Sequence, residues 1–277
     1  RLTPPAMKGA YAVYIITESD RYDQLQGSTL RDKRLSGYRV KEVYYGDRME
    51  IEIYPYWARK PRCKCQKLKE SRKAAKNQNA KDSRNMFTRL LMNNFGTGDL
   101  HVVCTYQEMP DEARALRDVQ NMIRRYQAAR RRKGLGKGKY MYVIEGAAEG
   151  KRVHLHLVLQ SGIGRDEVEA LWQKGYCNAD RIRAIDGSIK GLATYLAKDP
   201  KGKKRWGASR GLKKPEVKIY DHKITRKKAR EMAADAESFA EALAKLYPNY
   251  RATEINPPKY SDYVAGVYLC AEMRRND

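Results

Sequence analysis

No stretch of this sequence approaches the roughly 18 apolar residues that a membrane-spanning helix needs, and its start lacks the charged-then-apolar pattern of a secretory signal. The expectation is a cytoplasmic protein with no membrane partner. Cysteine is sparse: the five residues are odd in number and scattered, and only Cys63 and Cys65 lie close together. No second pair stands at zinc-ribbon spacing, so reduced thiols explain the cysteines better than a disulfide framework or a zinc site. Internal repeats are also lacking. Acidic residues are few beside basic ones, 33 against 57, which gives a net charge of +24.

Such a charge attracts polyanions over long range, and nucleic acid is the leading partner class. The charge is clustered. Arg59 to Arg89 holds twelve basic residues and two acids, Arg124 to Lys139 eight and none, and Lys198 to Lys218 nine and two. An anionic membrane surface is the weaker alternative, because these runs lack the aromatic and leucine-rich faces of interfacial helices. At 277 residues and 42% hydrophobic content the chain can build one large domain, or a catalytic domain with flanking additions.

Residues 1–58 read as a β-rich N-terminal region. Tyr11 to Ile16 forms one strand, and a hairpin from Tyr38 to Tyr54 turns at Gly46-Asp47. A basic helical segment follows over 59–98; without Gly or Pro after Pro61 it predicts a long helix that stops near Gly96. Residues 99–220 alternate regularly. Leu100 to Tyr106 is an apolar strand, and a helix opens at Pro110 with Asp111 and Glu112 where the helix dipole favours acids. That helix buries Ala113, Leu116, Val119, Met122, Ile123 and Tyr126 by their three- and four-residue spacing. Strands at Tyr140 to Glu145 and Arg152 to Leu159, a helix at Arg165 to Gln173 and a strand at Asn178 to Ala184 complete the order β-α-β-β-α-β. The expected class is α+β: a ferredoxin-like antiparallel sheet with helices on one face, the other left free for a ligand, and basic helical and β-rich flanking additions. A helix from Ser188 to Lys198 comes next. Trp206 to Tyr220 reads as a basic loop with a short strand, and 221–277 as one amphipathic helix, Lys223 to Leu246, with a tail.

Side chains alternate along a strand, so Val153, Leu155, Leu157 and Leu159 face a core while His154 and His156 face the other way. Two imidazoles two residues apart on one face can converge on a divalent cation; equally, they can be a hydrogen-bonded pair on a polar face. If Val143 pairs with His154, Glu145 shares that face, and two imidazoles with a carboxylate leave open positions of the kind a catalytic metal needs. A one-residue slip would turn Glu145 away. In the Ser188 helix, Ile189, Leu192 and Leu196 make the apolar stripe, whereas Gly191, Tyr195 and Lys198 lie together on another face. A neutral tyrosine hydroxyl is a weak nucleophile that a nearby cation activates, and Lys198 is one turn away. Alone, Tyr195 and Lys198 would read as surface residues.

Together these residues resemble the rolling-circle replication initiators of the HUH endonuclease superfamily. His154-Leu155-His156 looks like the family's paired histidines, and Glu145 like its acidic metal ligand. His101-Val102-Val103-Cys104-Thr105-Tyr106 is similar to its first motif, and Tyr195-Leu196-Ala197-Lys198 to its nucleophile motif, all in the family's chain order. The basic run from Asn77 to Phe95 and Ser209 to Pro215 also resemble phage and plasmid replication-associated proteins. The resemblance spans roughly residues 60 to 218.

The resemblance implies nicking and rejoining of single-stranded or hairpin origin DNA through a 5′-phosphotyrosine on Tyr195, assisted by Lys198. It implies a divalent cation, magnesium or manganese, on His154, His156 and Glu145. It implies DNA contacts from Thr105, Tyr106, Lys203, Lys204, Arg205, Trp206, Arg210, Lys213 and Lys214, with Trp206 or tyrosines available for base stacking. Gly134 to Lys139 has the wrong spacing for a phosphate-binding loop and follows a helix, so a host helicase and a polymerase are the expected accessory partners. The alternatives are a relaxase or single-strand transposase of the same superfamily, disfavoured by motif order and length, and a non-catalytic single-stranded nucleic-acid-binding module, which predicts exposed aromatics in place of paired histidines.

Overall fold

The computed structural model describes residues 35–56, 73–146, 152–184, 188–198, 206–261 and 264–276. The expected strand at Tyr11 to Ile16, the Cys63-Cys65 pair, the first part of the basic helix, and Lys203, Lys204 and Arg205 lie outside the described residues. No described helix is long and apolar enough to cross a membrane. The chain divides into two compact units, one of Val43–Arg48 and Lys64–Glu216, the other of Arg1–Glu42, Met49–Cys63 and Val217–Asp277.

The first unit is built on a sheet of β3 (Leu100–Thr105), β4 (Tyr140–Glu145), β5 (His154–Leu159), β6 (Cys177–Arg181) and β7 (Trp206–Ala208). Its order is β6-β3-β5-β4-β7, and each neighbouring pair is antiparallel. The helices are α1 (Lys73–Asn94), α2 (Glu112–Arg132), α3 (Arg165–Ala170) and α4 (Lys190–Ala197). Asp111 caps α2 by accepting a hydrogen bond from the Arg114 N–H at 2.6 Å, satisfying one of the donors that every helix start leaves unpaired. Beyond its last turn, Gly134 takes a φ of +68°, which ends the helix at little steric cost.

Alternation along the strands sends two sets of side chains to two cores. On one face Leu100, Val102, Cys104, Tyr142, Ile144, Leu155, Leu157 and Leu159 meet Val119, Met122 and Tyr126 of α2 and Val168 of α3. On the other, Met141, Val143 and Val158 meet Phe87, Leu90 and Leu91 of α1 and Ala193, Leu196 and Ala197 of α4. The second face is therefore not left free, as the β-α-β-β-α-β order alone predicts. The basic helix supplies the cover, because its last turns carry Phe87, Leu90 and Leu91 among the charges. Phe87 and Leu91 are almost wholly buried, and each contributes on the order of 2 kcal/mol by leaving water.

The other unit holds a six-stranded sheet of β1 (Gly37–Tyr45), β2 (Arg48–Tyr56), β8 (Glu216–Ile224), β9 (Tyr250–Ile255), β10 (Lys259–Ser261) and β11 (Val264–Arg275), in the order β10-β11-β2-β1-β8 with β9 also paired to β11. The hairpin turns at Gly46, φ +58°, as its sequence predicts. The expected helix from Lys223 to Leu246 is two: α5 (Arg226–Met232) and α6 (Ala236–Leu246), the second started by Asp235, whose carboxylate accepts from the Ser238 N–H at 2.7 Å. Buried Glu42 is paired with Lys223 Nζ and the Tyr247 hydroxyl, each at 2.5 Å, so its charge is compensated. The strands near the C-terminus went unforeseen because tyrosines among turn residues give a weak period-two signal.

Candidate active site

The face that carries Met141, Val143 and Val158 also carries the histidines, toward one end of the sheet. Glu145 pairs directly with His154, and Val143 with His156. The register is thus displaced by two residues from a Val143–His154 pairing. An even displacement preserves the face, so Glu145 stays on the histidine side. On the opposite flank of β5, Thr105 pairs with His154 and Val103 with His156.

His156 is the buried member, with 6% of its surface exposed, and its Nε2 lies 3.2 Å from Glu145 Oε2. The Tyr195 ring meets the His156 ring edge-on, centroids 5.9 Å apart and planes at 85°. Tyr195 itself is 59% exposed, while Ala193, Leu196 and Ala197 of the same helix are buried, so α4 anchors itself by one side and presents the tyrosine on another. Lys198 follows at the end of α4, exposed, its N–H donating to the Tyr195 carbonyl at 3.2 Å.

Sequence reasoning missed His101. Its ring stacks parallel to that of His156, 5.7 Å between centroids and 6° between planes. The two-residue alternation from Thr105 through Val103 puts His101 on this face, but the neighbourhood becomes visible only once β3 and β5 are known to pair. Burial, with the charge of His156 beside it, pushes the His101 imidazole down to about 4. Burial likewise lowers His156, against the opposing pull of the Glu145 carboxylate. Both rings are thereby held neutral, the form that donates a lone pair to a metal. His156 Nδ1 and His101 Nε2 are buried without a hydrogen-bond partner.

Two atoms bound to one small divalent cation stand roughly 3.0–3.4 Å apart, so the 3.2 Å between Glu145 and His156 suits a shared ion as well as a hydrogen bond. The His154 ring is farther off, its centroid 6.5 Å from that of His156, against roughly 5 Å for two imidazoles on one cation. Among the described residues no group of three or more His, Cys, Asp or Glu is assembled to hold a metal. The donor chemistry fits a divalent ion; the third ligand is reached by a side-chain turn of His154.

The residues expected to meet DNA fare differently. Tyr106 is in the core, 6% exposed, edge-on to Trp172 at 5.0 Å, and its hydroxyl is raised by burial and by Asp118; it cannot offer its ring to a base. Its apolar ring and position one residue beyond the strand favour the core over the surface. Trp206 is half-buried against Phe87 and donates its indole N–H to Ser83 Oγ at 3.0 Å, so it serves to hold α1. Thr105 is half-buried beside the site, its hydroxyl 3.4 Å from the Tyr176 carbonyl. Arg210, Lys213 and Lys214 are exposed. The Lys213 N–H donates to Asn94 Oδ1 at 2.8 Å, and the Lys213 and Lys214 carbonyls accept from Asn93 at 2.9 and 3.1 Å, so this basic loop is tied to the end of α1.

Residues 99–200 match the family described as replication-associated protein ORF2/gene II protein. That stretch runs from the start of β3 past the end of α4 and holds the histidines, Glu145 and Tyr195. The match supports a replication-initiator role for the chain, with DNA as its partner. No curated protein and no solved structure matches the chain.

Proposed function

We propose that the chain is a rolling-circle replication initiator of the HUH endonuclease superfamily, a cytoplasmic enzyme that nicks and rejoins single-stranded origin DNA through Tyr195. The observation that carries the proposal is the contact of an exposed tyrosine with a buried histidine that is itself paired with a carboxylate. The order β6-β3-β5-β4 is the one a ferredoxin-like β-α-β-β-α-β unit produces, which supports the same architecture. Coverage of the histidine face by α1 and α4 argues against a binding module that reads bases across an open sheet.

In this reading the Tyr195 hydroxyl oxygen attacks the scissile phosphorus. A bond forms from that oxygen to phosphorus and the bond to the 3′ oxygen breaks; the phenolic proton leaves to solvent and the departing oxygen takes up a proton to become a 3′ hydroxyl. Attack by a 3′ hydroxyl on the phosphotyrosine reverses the steps and joins strands. Lys198 neutralises charge that builds on the phosphate, and the exposed Arg210, Lys213 and Lys214 bind the strand through its backbone. Glu145, His156 and His154 would hold magnesium or manganese, which supplies positive charge at the scissile phosphate. With no phosphate-binding loop of its own, the protein relies on a host helicase and polymerase.

The test is incubation with single-stranded DNA carrying a candidate origin hairpin and manganese or magnesium. A covalent protein–DNA adduct is expected, abolished by chelator. An adduct that persists in chelator, or that Tyr195→Phe still forms, overturns the assignment.

A further inference from the structure

The end of the sheet that presents His154 carries a second exposed tyrosine, on the strand farthest from Glu145. Tyr176 is 71% exposed, more than any other large apolar or aromatic side chain among the described residues. Its backbone is fixed. β6 pairs with β3 through Cys104–Cys177, and the register continues one residue on, the Thr105 N–H donating to the Tyr176 carbonyl at 2.8 Å. A further bond runs from the Gln107 N–H to the Lys174 carbonyl at 2.9 Å, and the Trp172 indole donates to the Thr105 carbonyl at 2.9 Å. Gly175 permits this close approach, since a Cβ there would lie 2.5 Å from the Thr105 carbonyl oxygen.

The side the ring takes follows from alternation. The Cys177 sulfur is 3.4 Å from that of Cys104, which belongs to the core against α2, so Tyr176 belongs to the opposite face. Directly opposed residues share a face, and one row therefore crosses the sheet end as Tyr176, Thr105, His154 and Glu145. β6 is two strands from β5, about 10 Å at the usual strand spacing, a separation that a short length of extended single strand covers.

We infer that Tyr176 is a base-stacking platform for single-stranded DNA, holding a base that flanks the phosphate presented to Tyr195. The inference rests on the reading that this end of the sheet carries the DNA strand. An aromatic ring left in water on a pinned backbone gives a base a flat apolar partner without the cost of ordering it, and stacking of this kind tolerates any base. A phenol with no charge adds nothing to the contacts with phosphate.

The experiment measures binding of an oligothymidylate to the full chain in chelator, for wild type and Tyr176→Ala, Tyr176→Phe and Tyr176→Trp, alongside a strand of the same length made of abasic residues. Tyr176→Ala is expected to weaken oligothymidylate binding about five- to hundredfold, with Phe and Trp near wild type. The abasic strand should bind wild type and Tyr176→Ala equally, and the salt dependence should be unchanged because no phosphate contact is lost. Equal affinity of wild type and Tyr176→Ala for oligothymidylate overturns the inference, as does an equal loss on the abasic strand or a failure of Phe and Trp to restore binding. Since binding is read without metal or chemistry, absence of nicking would count against the catalytic reading and not against the stacking.

Discussion

Tyr195 meets His156 edge to face, 5.9 Å between ring centroids, at the boundary where the buried face of α4 gives way to solvent. One ring is held in the core and the other is free to move toward a substrate. That division of labour underlies the expectations that follow.

The carboxylate and the paired imidazoles should act together on a divalent ion. Manganese titration followed by electron paramagnetic resonance is expected to show binding that Glu145→Gln, His154→Ala and His156→Ala each weaken by at least about tenfold, the usual scale for disturbing a metal's ligand sphere. Equal manganese affinity in all four proteins would remove the site.

His101 makes stability depend on pH. Its folded-state value, about 4, lies below the unfolded value near 6.5, so the unfolded chain takes up the proton first. Stability from this residue is fully present above about 6.5 and is lost as pH falls toward 4. His156, also lowered, works in the same direction. Urea midpoints in chelator should fall across that window for wild type, and less steeply for His101→Phe. Parallel profiles for the two proteins would contradict the burial argument.

Phe87 tests the role of α1 as cover. Phe87→Ala removes a ring that is 1% exposed and supports Trp206, and it should cost about 3–5 kcal/mol in denaturant unfolding. A loss below about 1 kcal/mol would mean that the helix does not pack as described.

Gly207 sits where no side chain fits: a Cβ there would lie 2.2 Å from the Tyr142 ring. Gly207→Ala should destabilise by about 1–3 kcal/mol and loosen the pairing of β7 with β4, read as faster amide exchange at the Ser209 N–H, which donates to the Tyr140 carbonyl at 2.9 Å. Unchanged exchange and stability would refute that packing.

Much of the first unit was legible because its signals are local. The alternation around His154 and His156, the Asp111 cap and the spacing of Val119, Met122 and Tyr126 each lie within a few residues. Long-range relations were harder. Nothing near Phe87 or Leu91 says that the basic helix folds over the histidine face, and a charge-rich composition hides three apolar residues at helical spacing. The same holds for His101, which joins the site through the pairing of β3 with β5, and for Tyr106, whose ring turns into the core one residue past its strand. The register of β4 and β5 could be guessed only in parity, and parity was enough to keep Glu145 on the correct face.

The central claim concerns one hydroxyl group, and peptide mapping of the covalent adduct tests it most directly. Trypsin should release residues 191–198, Gly-Leu-Ala-Thr-Tyr-Leu-Ala-Lys, which holds a single tyrosine. After reaction with origin DNA and nuclease trimming, mass spectrometry is expected to find the nucleotide on that peptide at Tyr195. A nucleotide on the peptide of Tyr176 or Tyr220 would contradict the account.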